Sequence, residues 1–450
     1  MRKIAQTFFY GIFKIAIANQ WYGLLAWFYS KVIEEINAEG KTVRFSKKSK
    51  DSKVVVLVLS AYAFRGDPER LAASRELRVL QIPKHWQLRL YHMFYPPERT
   101  CCFHKNKLRR YIDHNDPCFK YKKKHYDFLR GFLPKLYNML GVSCVISPHY
   151  RYNQDIDWGT VSKEIGVHYI LINRDSRFNA SPYLTKLMMR HFKDLVKFEG
   201  THLVVQSEVD KQLCVDSNFV KPEQISALGC MRMDNFLRRI QTLNPVENRR
   251  KKVVFFPCAM VNIFGFNYFQ DVHVTLARLA LNYPDIDIII KPKPKSFPPW
   301  SKCFNKVLED SEMNKEEISN LHVLPNINPY ELLVRTDVVC GLNTSLLLEV
   351  AITEKPIIIP CFKEIQCSKN KDYIYFRDAF DMFDIAESRE EFESLICERL
   401  YNTKLDSNVL EKRKAYFEKH VSSLKCDSIK KHVDLIRHIV IEEPYGSVTR

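Results

Sequence analysis

Residues Leu321 to Phe362 read LHVLPNINPYELLVRTDVVCGLNTSLLLEVAITEKPIIIPCF, and this stretch decides the fold class. Asn328 and Pro329 followed by Glu331 predict a helix start: asparagine as N-cap, proline at the first helical position, glutamate placed to close a capping box. Tyr330, Leu332, Leu333 and Val334 carry that helix toward a core, and Thr336-Asp337 end it. Val338-Val339-Cys340 is a short uncharged run, as expected of a parallel strand covered on both faces. Gly341 breaks it. Asn343, Thr344 and Ser345, whose side chains cap helices, lead into a second helical run from Leu346 to Ile352. Lys355-Pro356 stops this helix, and Ile357-Ile358-Ile359 forms another buried strand. Alternation this tight predicts one half of a nucleotide-binding α/β enzyme.

The polar residues fall where such a sheet binds ligands. The first turn of a helix has unpaired N–H groups and a positive dipole end, and open α/β sheets hold ligands outside the carboxyl ends of their strands. A phosphate is therefore expected at Asn343, Thr344 and Ser345. Glu349 follows Ser345 by one turn on the same face, within reach of the adjoining ribose hydroxyls. Upstream, Tyr283-Pro284-Asp285 ends a helix, Ile286 to Ile290 reads as a strand, and Lys291-Pro292-Lys293-Pro294-Lys295 follows at its carboxyl end. Lysines set on prolines are pre-organised cations, so Lys291 and Lys293 are candidate phosphate ligands. A capped helix after a buried strand also occurs in every doubly wound fold, and a Lys-Pro run can be a solvated basic turn.

A third constellation, Gln206-Ser207-Glu208-Val209-Asp210 and then Ile225-Ser226-Ala227-Leu228-Gly229-Cys230-Met231-Arg232-Met233-Asp234, precedes these two. In this order the three resemble the carboxyl-terminal part of GT-B glycosyltransferases, in particular bacterial surface-polysaccharide enzymes and CDP-glycerol polyolphosphate transferases. The elements that carry the resemblance are Gly229, Arg232 and Asp234; Lys291-Pro292; and Asp337-Val338-Val339, Asn343-Thr344-Ser345, Glu349 and Lys355-Pro356-Ile357-Ile358. The chain departs from the pattern at Lys293, where related polyolphosphate transferases place histidine, and at Met231, where the family places proline. The resemblance implies two Rossmann-like doubly wound domains with a nucleotide-binding cleft between them. It also implies donor phosphate on Thr344 and Ser345, donor ribose on Glu349, a glycan or lipid-linked acceptor, and no cofactor or metal besides the nucleotide-sugar donor. A polyolphosphate transferase, a nucleotide-sugar 2-epimerase and a non-catalytic basic module for anionic membrane or nucleic acid are the alternatives.

At 450 residues and 46% hydrophobic, the chain is long enough for two cores. Expected boundaries are a helical, basic segment over 1–52, an acceptor domain over 53–243, a donor domain over 252–408 and a helical segment over 409–450 that crosses back to the first domain. The linker is Thr242 to Lys252, where Asn244-Pro245 and Arg249-Arg250-Lys251-Lys252 are polar. Glycine numbers only 13, and neither Gly-x-Gly-x-x-Gly nor the P-loop pattern occurs, which argues against dinucleotide oxidoreductases and P-loop enzymes. Thirteen cysteines without a Cys-x-x-Cys pair, several in apolar strands, read as the reduced thiols of a cytosolic protein. Cys101-Cys102-Phe103-His104 is a poor match to zinc spacing.

Residues Phe8 to Ile36 are aromatic and aliphatic but interrupted by Lys14, Asn19, Gln20 and Lys31, so they suit a membrane-surface helix or one packed on the first domain, not a span. The basic run Arg44, Lys47, Lys48, Lys50 and Lys53 would add attraction to anionic lipid at the inner face of the cell membrane. Lys105 to Arg130 holds nine Lys or Arg against three acids with aromatics interleaved; a solvated basic face is its ordinary reading, and nucleic acid is not expected. In the first half, strand ends point candidates into the expected cleft: Arg65 in the loop after Val54–Leu59, His149 and Asp155 after Cys144–Ser147, Arg174 and Asp175 after Tyr169–Ile172. Sugar transfer needs a base for the acceptor hydroxyl, so Asp155, Asp175 and His149 are candidate catalytic residues, and Arg174 and Arg65 candidate acceptor anchors.

Overall fold

A computed structural model describes residues 11–45, 53–95, 119–150, 152–174, 180–194, 197–242, 249–258, 264–368 and 370–442. The chain forms two compact units: residues 1–175, 188–234 and 425–450 make the first, and 176–187 with 235–424 the second. The division falls between Asp234 and Asn235, inside the helix Met231–Gln241 and ahead of the polar stretch read as a linker, of which 243–248 lies outside the described residues.

The first unit is built on an eight-stranded sheet of order β2-β1-β4-β3-β5-β6-β7-β8. The strands are β1 (Glu34–Ile36), β2 (Thr42–Arg44), β3 (Val54–Val58), β4 (Leu77–Gln81), β5 (Cys144–Ser147), β6 (His168–Ile172), β7 (His202–Val205) and β8 (Ile225–Ala227). From β4 to β8 all neighbours are parallel. Successive side chains of a strand face opposite ways. Val56, Val58, Cys144 and Ile146 thus join one core, and Leu57, Leu80, Val145 and Tyr169 the other, which explains the uninterrupted aliphatic runs. The helices Tyr22–Val32 and Phe119–Leu140 contribute to the second of these cores, while Val433, Ile436 and Ile439 of the helix Ser428–Ile441 complete the first. That C-terminal helix is also held at its start, where Asp234 accepts the Ile429 N–H at 2.8 Å.

Residues 34–44, read from sequence as part of a helical segment, form instead an antiparallel hairpin on the edge of this sheet. Its turn is local chemistry: Asn37 Oδ1 accepts the N–H groups of Glu39 and Lys41, and Gly40 takes φ 72°. Its register is fixed by Glu35, which receives both arms of the Arg78 guanidinium at 2.7 and 3.1 Å.

The second unit holds a six-stranded parallel sheet of order β11-β10-β9-β12-β13-β14. Its strands are β9 (Lys251–Phe256), β10 (Ile286–Ile290), β11 (Leu321–Val323), β12 (Val338–Gly341), β13 (Ile357–Pro360) and β14 (Asp384–Ala386). Numbered from β9 this is the 3-2-1-4-5-6 order of a Rossmann fold. The helices Phe266–Asn282, Phe297–Asp310 and Arg389–Tyr401 enclose its core. The run Asn408 to Ile441 is two helices, broken before Cys426 at φ 54°. The first, Ser407–His420, belongs to the second unit, where buried Arg413 donates to the carbonyls of Met382 and Lys355 at 2.8 and 2.7 Å. Cys144, Cys340 and Cys361 are buried free thiols in or beside strands.

Candidate functional site

In the second unit the strand order reverses between β9 and β12, and ligands of such sheets bind outside the carboxyl ends at that point. Gly341 closes β12 there. A Cβ on it would lie 3.0 Å from the Phe256 carbonyl oxygen at the end of β9, so the approach of the two strand ends favours glycine, and a larger residue would push them apart by a few tenths of an ångström. Asn343 follows at φ 53°, a left-handed conformation that asparagine tolerates, and its side chain ties down a neighbouring loop. Nδ2 donates to the Tyr373 carbonyl at 2.8 Å, and Oδ1 accepts the Tyr375 N–H at 3.0 Å.

The helix after this turn is Leu346–Val350, shorter than its sequence suggests. Ser345 makes no capping hydrogen bond, and Thr344 Oγ1 accepts the Leu346 N–H at a long 3.4 Å. The expected asparagine cap is formed one helix earlier, where Asn328 Oδ1 accepts the Tyr330 N–H at 3.0 Å ahead of the helix Pro329–Val334. Glu349 is buried, and Tyr330 donates its hydroxyl to Glu349 Oε2 at 2.5 Å. The carboxylate is thus held in place by a tyrosine whose sequence context points only to the core.

At the end of β10, adjacent to β9 on the same edge, Lys291 is half-buried and its Nζ donates to the Pro325 carbonyl at 3.0 Å. Burial, and after it the charge of Lys293, lowers the Lys291 pKa. Lys293 and Lys295 are exposed. Of the pre-organised cations, then, Lys291 braces the strand end and Lys293 lies at the surface.

In the first unit the parallel order reverses between β3 and β5. Ser60, at φ 46° just beyond β3, donates to Asp155 Oδ1 at 2.8 Å, and Gln87 Nε2 donates to the same oxygen at 2.6 Å. Gln87 Oε1 in turn accepts the Ser60 N–H at 2.9 Å, and Gln154 donates to Ser60 Oγ. Asp155 is wholly out of solvent, and its Oδ2 has no hydrogen-bond partner among the described residues. Burial raises its pKa to about 7 against the lowering effect of Ser60 and Gln87. A carboxyl that titrates near neutrality can take and return a proton. His149, buried, lies against the rings of Tyr150 and Tyr152 at 4.5 and 5.5 Å. Asp175 lies outside the described residues, as do Cys101 to His104.

The two acceptor candidates differ. Arg65 is exposed at φ 58°. Arg174 is half-buried, donates to the Ala63 carbonyl, and offers its own carbonyl to Gln206 and Arg232 at 2.8 and 3.1 Å. The charges of buried Arg232, of partly buried Arg70 and of exposed Arg65 partly offset the burial that raises the nearby Asp67 carboxyl to about 6. Gln87 and Tyr330 were not legible as site residues, because neither carries a local pattern of its own. Among the described residues no group of three His, Cys, Asp or Glu side chains could hold a metal ion, and no helix is long and apolar enough to cross a membrane.

No family profile and no curated protein sequence matches the chain. Its likeness is to solved structures. A candidate UDP-N-acetylglucosamine 2-epimerase from Listeria monocytogenes is 9% identical, with 88% of this chain and 99% of that one covered, at a TM-score of 0.50. The wall teichoic acid polymerase TagF, in a structure with CDPG, is 13% identical over 87% of this chain and 90% of its own, at 0.45. A UDP-forming α,α-trehalose-phosphate synthase from Burkholderia vietnamiensis is 10% identical over 87% and 100%, at 0.46. With two wound α/β units, a Rossmann-ordered second sheet and a likeness that spans both, the chain has the GT-B fold.

Proposed function

We propose that the chain is a glycosyltransferase that moves a sugar from a nucleotide-activated donor to a glycan or lipid-linked acceptor, of the kind that builds bacterial surface polysaccharide. The observation that carries this reading is the set of groups around the switch point of the second sheet: the turn Asn343-Thr344-Ser345 and the oriented Glu349 after β12, and Lys291 and Lys293 after β10. Hydroxyls and cations suit the donor diphosphate, and a fixed carboxylate suits a ribose diol. In the transfer, a base takes the proton of the acceptor hydroxyl, the oxygen bonds to the sugar's anomeric carbon, and the nucleoside diphosphate leaves with the old bonding pair. Asp155, His149 and Asp175 are the bases to test, with Arg174 and Arg65 as acceptor anchors. The proposal needs no cofactor besides the donor.

The second reading is a nucleotide-sugar 2-epimerase, favoured by the Listeria structure. An acceptor-independent change in donor configuration would select it. Lys293 in place of histidine speaks against a CDP-polyol donor. Thermal unfolding in the presence of UDP, GDP, CDP, CMP and dTDP sugars tests the proposal, since a ligand at 100 times its dissociation constant adds about 2.7 kcal/mol. One responding nucleotide names the donor class; no response, together with steeply salt-dependent binding to nucleic acid, would replace the enzyme with a basic binding module.

A further inference from the structure

The first two helices of the described chain, residues 11–18 and Tyr22–Val32, form a hairpin whose inner side is fully committed. Phe13, Leu25, Ala26 and Tyr29 are buried, with Phe13 edge-on to Phe28 at 4.9 Å and Tyr29 edge-on to Phe132 at 5.3 Å. The outer side is apolar as well. Ile12 and Ile15 on one helix, Trp21 at the turn, and Leu24 and Trp27 on the other are 39 to 54% exposed. Core packing explains none of these five, and burying large apolar side chains in water's place is what an exposed patch of this kind serves.

Charge decides the occupant. Residues 1–33 contain Arg2, Lys3, Lys14 and Lys31 and no aspartate or glutamate, in a chain of net charge +17. Lys14 and Lys31 are exposed among the apolar rows, and Lys31 Nζ stands 5.7 Å from the Trp27 ring. A second copy of this chain packed symmetrically on the same face would bring these lysines together, and residues 1–33 supply no acid to set between them. An anionic bilayer meets every requirement: it accepts isoleucine and leucine side chains, seats tryptophan at the headgroup level and attracts lysine. We propose that this hairpin is a docking surface for the anionic face of a lipid bilayer, laid in the interface and not through it. The proposal goes beyond the transfer reaction and needs nothing of nucleotide chemistry, so either can fail without the other.

The test is co-sedimentation of the full chain with vesicles of phosphatidylcholine alone or mixed with an equal part of phosphatidylglycerol. Binding is expected to the mixed vesicles and to weaken in salt. Trp21→Ser with Trp27→Ser should reduce it to the level of neutral vesicles, with far-UV circular dichroism and nucleotide affinity unchanged. Lys14→Glu with Lys31→Glu should weaken it by about fivefold for each lysine lost, before counting the added repulsion. Equal binding to neutral and anionic vesicles would overturn the proposal, as would undiminished binding of the tryptophan pair. A dimer in solution that the tryptophan pair dissolves would assign the surface to a second copy instead.

Discussion

Asp155→Asn separates the charge of this carboxyl from its hydrogen bonds. Oδ1 accepts from Ser60 and Gln87 at 2.8 and 2.6 Å, and an asparagine oxygen can keep both. What the substitution removes is ionisation. In the folded chain the carboxyl titrates at about 7 because it is out of solvent, against about 3.9 in the unfolded chain. Its folded value is raised, so its contribution is fully present below about pH 4 and is lost as pH rises toward 7, where the native state must hold an unsolvated charge. A gap of about three units corresponds to on the order of 4 kcal/mol. The stability of Asp155→Asn minus that of the unaltered protein should therefore grow by about that amount, in favour of the variant, between pH 4 and pH 8. His273 and His432, lowered by burial to about 4, act in the opposite sense, losing stability as pH falls from about 6.5. Both are present in the two proteins and cancel in the difference. Urea unfolding followed by tryptophan fluorescence at steps of pH measures it, with Trp158 on the same helix as a reporter. A difference that stays flat with pH would refute the reasoning. If the variant also loses transfer by about a hundredfold or more while donor affinity holds, Asp155 is the base.

Glu349→Ala should weaken nucleotide binding by about 1 to 3 kcal/mol in a folded protein, and calorimetric titration checks it. Tyr330→Phe, which removes the hydroxyl on Glu349 Oε2, should shift affinity in the same direction by less. Unchanged affinity in both would make the pair structural. Asp234→Ala frees the Ile429 N–H from its acceptor, which should cost about 1 to 3 kcal/mol; hydrogen exchange over the first turn of Ser428–Ile441 should accelerate, and protection equal to that of the unaltered chain would rule the contact out as an anchor.

The parts of the fold that were legible in the sequence are those whose signal is local. A parallel strand buried on both faces is a short aliphatic run wherever it occurs, and Ile286–Ile290, Cys144–Ser147 and Val338 onward are strands as read. The hairpin β1–β2 gave no such signal: EEI and TVR are three-residue strands, the second fully exposed, in which Ile36 alone enters the core and Asn37 and Arg78 supply the polar ties. Capping was legible where asparagine met a proline-led helix at Asn328, and misleading at Ser345, where the left-handed Asn343 turns its side chain to residues 373–375. The partners of the candidate groups are further still. Gln87 is 68 residues from Asp155, and Tyr330 is 19 from Glu349. No periodicity links such pairs; only the strand order brings them together. Yet both pairs stand at carboxyl ends of parallel strands, where chain order reverses and backbone from two directions leaves room. At these two points the polar residues that the sequence singled out, Asp155 and Glu349, are each gripped by a neighbour through a hydrogen bond, so that their orientation is set by the fold and not by a ligand.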